Sequence, residues 1–350
     1  MKTVYKTVDP DDIDMDVIKE AGAIIKSGGL VAFPTETVYG LGGNALCAES
    51  SRKIYEAKGR PCDNPLIVHI AAFDDIYGIV KNVSPAAKAL ADKYWPGPLT
   101  MIFEKNGSVP SETTGGLDTV AVRFPSHPVA RCFIAASGGY VAAPSANISG
   151  RPSPTSGKHV LEDMDGRIDM IIDSGMCDIG LESTIIDMTS EVPVMLRPGY
   201  VNERMLGEIV GSVEKDPAVF GDDTSKMPPK APGMKYRHYA PKGSLAIVSG
   251  DDEAVISYIT GKITQKPSGK KIAVLTYTKD KGRYEGADLV CDMGDAHDET
   301  GTASRLYDML RLCDEKEIDE IYSEEFDTPD LGCAIMNRLV KAAGHNIIKV

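Results

Sequence analysis

Four arginines and one lysine stand where apolar strand patterns end. Lys58 and Arg60 lie in KGRPCDNPL (58–66), Arg123 in TVAVRFP (119–125), Arg151 in APSANISGRPSPT (143–155) and Arg197 in LRPG (196–199). Lysine brings a point charge, and arginine a planar fork that matches carboxylate or phosphate oxygens. Lys58 and Arg60, held by Pro61 and followed by Asn64 and Pro65, suit a polyphosphate. The same pair also reads as a solvated helix end favoured by the helix dipole. Thr119 and Arg123 lie four apart on one strand and so share a face, with small Ala121 between them leaving room for a ligand. The opposite face, Val120, Val122 and Phe124, is apolar and is expected to pack on the core. An arginine in such a strand needs an anionic partner, either a structural carboxylate or a ligand's.

The neutral polar groups follow the same layout. Thr35 and Thr37 sit in PTETVYG (34–40) directly after the apolar LVAF, and His69 stands inside LIVHI. His69 reads either as a satisfied structural residue or as a hydrogen-bond partner for a small polar ligand. Ser145, Asn147, Ser149, Ser153 and Thr155 crowd one loop, and Ser183 opens the strand ESTIID (182–187). Strand ends of an α/β sheet can converge on one crevice. If Arg60, Arg123, Arg151 and Arg197 do so, the result is a basic pocket for a small anion carrying several charges.

Familiar fingerprints are absent. SGKH (156–159) resembles the end of a P-loop, but the upstream glycine spacing is wrong and His159 stands where Ser or Thr would hold Mg²⁺. YGLGG (39–43) is not G-x-G-x-x-G, and the G-x-S-x-G elbow is missing. The six histidines never sit a helical turn apart and H-E-x-x-H is absent, so no transition-metal site is legible.

These groups need a scaffold. Helical spacing predicts a helix over Asp11–Ser27, closed by Gly28-Gly29. A strand Leu30–Phe33 follows, then PTETVYGLGGNA as a Gly- and Thr-rich loop running to a helix near Glu49–Lys58. Further strands are expected at Pro65–Ala71, Leu99–Glu104, Thr119–Phe124, Tyr140–Ala143, Asp169–Asp173, Thr184–Met188 and Val192–Leu196. Ser84-Pro85 opens a helix to Trp95, with Ser as cap and Pro in the first turn. Asn202–Val210 reads as a short helix. Between about Gly211 and Pro241 the apolar periodicity stops and prolines accumulate, the composition of a linker. Beyond it, strands and helices alternate to the C-terminus as in a small open α/β domain. The expected division is 1–212, a linker at 213–241, and 242–350.

Composition supports this reading. The 350 residues carry 38 basic and 51 acidic side chains, a formal net charge of −13. Residues 1–212 hold 19 basic and 27 acidic groups, and the remainder 19 and 24, so both halves are acidic. Neither is an obvious coat for a phosphate backbone, although a local basic pocket is compatible. No apolar run is long enough to span a membrane, and the acidic N-terminal stretch lacks a signal peptide's apolar core. Seven cysteines without a C-x-x-C pair suggest reduced thiols and a cytoplasmic location.

At KGRPCDNPL, APSANISGRPSP, ESTIID and LRPG the sequence resembles the signature segments of the YrdC family. APGMKYRHYAP (231–241) resembles the linker motif of that family's longer, two-domain members. The one departure is Ala231, where Ser is expected. The resemblance runs in consistent order from PTETVYG through LRPG. It implies a twisted mixed-sheet α/β domain followed by a smaller Rossmann-like open α/β domain. It also implies an adenylyltransferase reaction: L-threonine, bicarbonate or CO₂ and ATP, with Mg²⁺, give threonylcarbamoyl-AMP and pyrophosphate. The product would go to a transfer complex that modifies the adenosine beside the anticodon in tRNA.

By motif position, Thr37, His69, Arg123, Ser183 and the backbone at Ala143 would hold threonine. Lys58, Arg60, Asn64, Ser145, Asn147 and Arg197 would hold ATP, with Thr119 and Ser153 beside them. Lys58 and Arg60 are the cations expected to act on the phosphates, and Tyr236 would close over the nucleotide. The alternatives are an RNA-binding module of the same fold, disfavoured by the acidic first half, and a carbamoyl-phosphate-using maturation factor. The second would need zinc-finger segments that a chain without C-x-x-C lacks.

Overall fold

A computed structural model describes residues 2–217 and 238–350, which separate into two compact units. Of the described residues, the first comprises 2–149 with 153–178 and 182–217; the second takes in 150–152, 179–181 and 238–350.

The first unit is built on an eleven-stranded mixed sheet among the described residues. Its strands are β1 (Val4–Thr7), β2 (Val31–Phe33), β3 (Gly40–Asn44), β4 (Ile67–Ile70), β5 (Leu99–Glu104), β6 (Thr119–Arg123), β7 (Tyr140–Ala143), β8 (Met170–Asp173), β9 (Thr184–Asp187), β10 (Val194–Arg197) and β11 (Glu214–Lys215). They lie in the order β1-β8-β2-β3-β7-β4-β6-β5-β9-β10-β11. The central strands pair antiparallel at β2/β3, β3/β7, β4/β7 and β5/β6, and parallel at β4/β6 and β5/β9.

Helices cover both faces. On one, α2 (Ala48–Lys58), α3 (Pro85–Tyr94), α5 (Gly157–Met164) and α6 (Glu203–Val210) contribute Ile54, Leu90, Val160 and Leu206 to the largest core cluster. Val120, Val122 and Phe124 join that cluster, as the alternation in TVAVRFP requires. On the other face, α1 (Met15–Lys26) and α4 (Pro128–Ala136) pack Ile18, Ala21, Ile25, Val129 and Phe133 onto β2, β7 and β8. Farther along this face the strands bury a small cluster of their own, Ile67, Ile102, Ala121, Ile185 and Leu196, to which no described helix contributes. That stretch of sheet is where polar side chains collect.

Local signals explain most boundaries. Asp14 caps α1 by accepting from the amides of Asp16 and Val17, Ser84 caps α3, and Asn202 caps α6. One expectation needs correction, and the structure adds elements that the pattern did not show. PTETVYGLGGNA is a loop only in its first half, and GLGGN forms β3 in the middle of the sheet. Glycine is required there, because a Cβ at Gly42 would come within 2.9 Å of Val141. SGKH is a helix start, with Ser156 accepting from the His159 amide to cap α5. Helix α4 and strand β1 were not anticipated from the pattern.

The second unit is a five-stranded sheet, parallel throughout, in the order β14-β13-β15-β12-β16. Its strands are β12 (Ser244–Ser249), β13 (Ile272–Thr276), β14 (Leu289–Asp292), β15 (Glu320–Ser323) and β16 (Ile347–Lys349). Helices α7 (Asp252–Thr264), α8 (Glu299–Glu315) and α9 (Gly332–Ala342) alternate with them, as the Rossmann-like expectation requires. No described helix is long and apolar enough to cross a membrane.

Candidate active site

Strand register builds the site. His69 on β4 lies opposite Arg123 on β6, and Arg123 lies opposite Thr100 on β5. Paired residues project to the same side, so these three form a polar row beside the helix-free apolar cluster. Arg123 keeps 4% of its surface and His69 4%. The buried arginine does have a structural carboxylate: its Nη2 lies 2.8 Å from Glu36 Oε1. Its Nη1 donates to Thr37 Oγ1 at 2.8 Å.

Thr37 is set by the turn after β2. Thr35 Oγ1 donates to the Val38 carbonyl at 2.7 Å, lies 2.9 Å from Thr37 Oγ1 and accepts from the Thr37 amide. His69 is held edge-on against Phe33, ring centroids 5.8 Å apart, with Nδ1 3.2 Å from the Ile67 carbonyl. Burial, reinforced by the Arg123 charge, depresses its pKa from 6.5 to about 3. The imidazole is therefore neutral at physiological pH.

At the other end of the row, Thr100 Oγ1 lies 2.8 Å from Ser183 Oγ. Arg197, ending β10, donates from Nε to the Ser183 carbonyl at 2.9 Å and from Nη2 to its hydroxyl at 3.2 Å. Thr37, His69, Arg123, Ser183 and Arg197 are thus linked through shared partners or strand register. Ala143 ends β7, its Cα opposite Ile67.

A second group gathers around the end of α2. Lys58 is that helix's last residue, 1% exposed, and left-handed Gly59 (φ 60°) turns the chain away. Its Nζ donates to the carbonyls of Ser145 and Asn147, each at 2.5 Å. Ser145 Oγ donates to Asn147 Oδ1 at 2.5 Å. Lys58 is accordingly no loop cation: it is a buried ammonium that folds the Ser145–Asn147 turn. Arg60, half-buried, donates to the carbonyls of Asn64 and Pro65. The Asn64 side chain is buried with neither amide atom hydrogen-bonded among the described residues. Ser153 donates to Glu182 Oε1 at 2.5 Å.

Other positions separate from these. Thr119 lies at the far end of β6 from Arg123, paired with Glu104. Arg151 falls in the second unit, 4.0 Å from Asp314. Tyr236 lies outside the described residues.

Comparison with known proteins agrees with the motifs. Residues 23–199 match a family model described as "Telomere recombination", and residues 201–344 match "Threonylcarbamoyl-AMP synthase, C-terminal domain". A threonylcarbamoyl-AMP synthase from Pyrococcus abyssi is 48% identical over 334 residues, covering 95% of this chain and 96% of the relative. The chain belongs to the threonylcarbamoyl-AMP synthase family. Another member, from Bacillus subtilis, is 44% identical over 95% of this chain and 94% of its own length. A Pyrococcus abyssi Sua5 crystal structure described as complexed with L-threonine superposes with a TM-score of 0.93 at 46% identity, covering 99% of this chain and all of that one. Membership in the threonylcarbamoyl-AMP synthases makes this an enzyme that uses ATP to form an adenylate.

Sequence reasoning passed over two members of the polar row. Glu36 stood in plain view between Thr35 and Thr37, but its pairing with Arg123, 87 positions away, has no local signature. Thr100 looked like an ordinary strand residue, and only the β5/β6 register shows that it faces the site.

Proposed function

We propose that the first unit joins L-threonine, bicarbonate or CO₂ and ATP into L-threonylcarbamoyl-AMP and releases pyrophosphate. The observation that carries this reading is Arg123, a buried guanidinium whose Nε has no hydrogen-bond partner among the described residues. It stands in a polar row with neutral His69, Thr37 and Thr100. An unused, buried cationic donor suits the carboxylate of an amino acid.

In this reaction the amine of threonine becomes a carbamate, and a carbamate oxygen attacks the α-phosphorus of ATP as pyrophosphate leaves. The substrate supplies its own nucleophile, so the chain's work is positioning and charge neutralisation. Arg123 takes the threonine carboxylate. His69, held uncharged, offers a hydrogen bond without a second positive charge competing for it. Thr37 and Ser183 supply hydroxyls, and the Ala143 backbone lines the same side.

Lys58 shapes the Ser145–Asn147 turn and places positive charge beneath it. Arg60, Arg197 and the unsatisfied Asn64 amide complete the nucleotide's surroundings, with Ser153 and Thr119 farther out. Among the described residues no three His, Cys, Asp or Glu side chains form a metal cage. We infer that Mg²⁺ enters as part of the Mg–ATP substrate, held chiefly by phosphate oxygens. The product, a mixed carbamic–phosphoric anhydride, passes to a tRNA-modifying transfer complex.

The test is pyrophosphate release from purified protein with Mg–ATP and bicarbonate. Release that depends on added L-threonine is expected; its absence overturns the reading.

A further inference from the structure

The Glu36–Arg123 pair is charge-balanced but not saturated. Its side chains keep only 7% and 5% of their surface, and one contact, Nη2 to Oε1 at 2.8 Å, joins them. Neither Glu36 oxygen receives a hydrogen bond among the described residues, and Arg123 Nε donates none. A carboxylate has about four acceptor positions and a guanidinium five donors. Burying them with positions unused is costly unless something else meets them.

The neighbours do not. Burial pushes the pKa of nearby His127 down, so its ring supplies no cation, and that of the Cys177 thiol up, so it stays uncharged. Asp178, which acts on those same two groups, is another acceptor. What remains are unmet donor positions on Arg123 and unmet acceptor positions on Glu36, on a single pair of zero net charge. An α-amino acid presents the complement, a carboxylate and an ammonium on one carbon.

We propose that Glu36 reads the α-amino group of the amino-acid substrate, so that Glu36 and Arg123 together clamp a zwitterion. This rests on the threonine reading of the pocket and adds a role to it. The carboxylate docks on Arg123 Nε, and the amino group donates to the free oxygen of Glu36. The nitrogen that must become a carbamate is thereby fixed in place. A ligand without the amine leaves a buried carboxylate unmet, the kind of mismatch that discriminates strongly.

The experiment is calorimetric titration of the full chain with L-threonine and with 3-hydroxybutanoate, which keeps the carboxylate and hydroxyl but lacks the amine. The wild type is expected to bind threonine at least about tenfold more tightly. Glu36→Gln should weaken threonine about tenfold and leave 3-hydroxybutanoate unchanged or tighter, because Arg123 has lost its competing carboxylate.

Equal loss for both ligands would make Glu36 a mere support for Arg123 and overturn the proposal, as would no change for either. Should the variant fail to fold, the wild-type comparison decides: equal affinity for the two ligands removes the role. A wild type that binds threonine without preferring the amine sinks Glu36 alone. One that binds no threonine sinks the pocket's reading and the clamp with it.

Discussion

At the scale of single residues, the informative contrast is between the two cations of KGR. Lys58 is buried and bonded to two carbonyls, so losing it damages the fold of the Ser145–Asn147 turn as well as any nucleotide contact. Arg60 is half-buried and donates to turn carbonyls. Arg60→Ala is expected to cut adenylate formation roughly a hundredfold while changing stability by about 0.5 kcal/mol or less. Pyrophosphate release and a urea titration read the two effects separately; unchanged turnover would remove Arg60 from the ATP site.

His69 makes a pH prediction. Its folded pKa, about 3, lies below the ordinary 6.5, so between these values the unfolded chain binds a proton that the folded chain refuses. Its contribution to stability is complete above pH 6.5 and drains away as pH falls toward 3. In His69→Asn the denaturation midpoint should fall less steeply over that window than in the wild type; parallel slopes would contradict the burial argument. Residue identity was legible in the chain at each of these positions. The partners were not, because Thr37, Glu36 and Arg123 meet only through the sheet.

At the scale of elements, capped and strongly periodic segments were legible, and those set by their neighbours were not. Strand β3 is the clearest case. GLGGN has none of the β-branched or aromatic residues that announce a strand, and it is one because β2 and β7 flank it closely. The space a Cβ at Gly42 would need is already held by Val141 at 2.9 Å and the Val31 carbonyl at 3.1 Å. Gly42→Ala is therefore expected to lower stability by about 1–3 kcal/mol, seen as a reduced urea midpoint at unchanged slope; an unaltered midpoint would show that the strands can part without cost. Helix α4 escaped notice because nine residues between two turns carry little periodic signal, although Pro128 stands at its first position.

For the molecule as a whole, charge and core organisation make the predictions. With −13 overall and with Lys58 and Arg123 committed to internal partners, the chain is expected to bind tRNA without nucleotide more weakly than about 100 μM at physiological salt. A salt-dependent micromolar affinity by filter binding would instead favour the RNA-binding alternative. Among the described residues, the first unit's core clusters draw on residues before Ser212, apart from the peripheral Val213, and the second unit buries its own cluster around Ile259 and Val274. A chain ended after Ser212 should still melt cooperatively; loss of a sigmoidal circular-dichroism transition would show that its cores need more of the chain.

The sequence by itself determined the α/β class, the change of texture after about residue 211, the family, and the polar segments at strand ends. These depend on local periodicity, turn chemistry and short motifs, all written within a few neighbouring positions. Only the tertiary structure decided that Arg123 already has a carboxylate, that Lys58 is a buried clamp, that Arg151 belongs to the other unit, and that Glu36 and Thr100 face the site. Each of these is a matter of strand register or of contact between distant segments. A register is settled by how whole faces bury together, and no single stretch of chain contains that information.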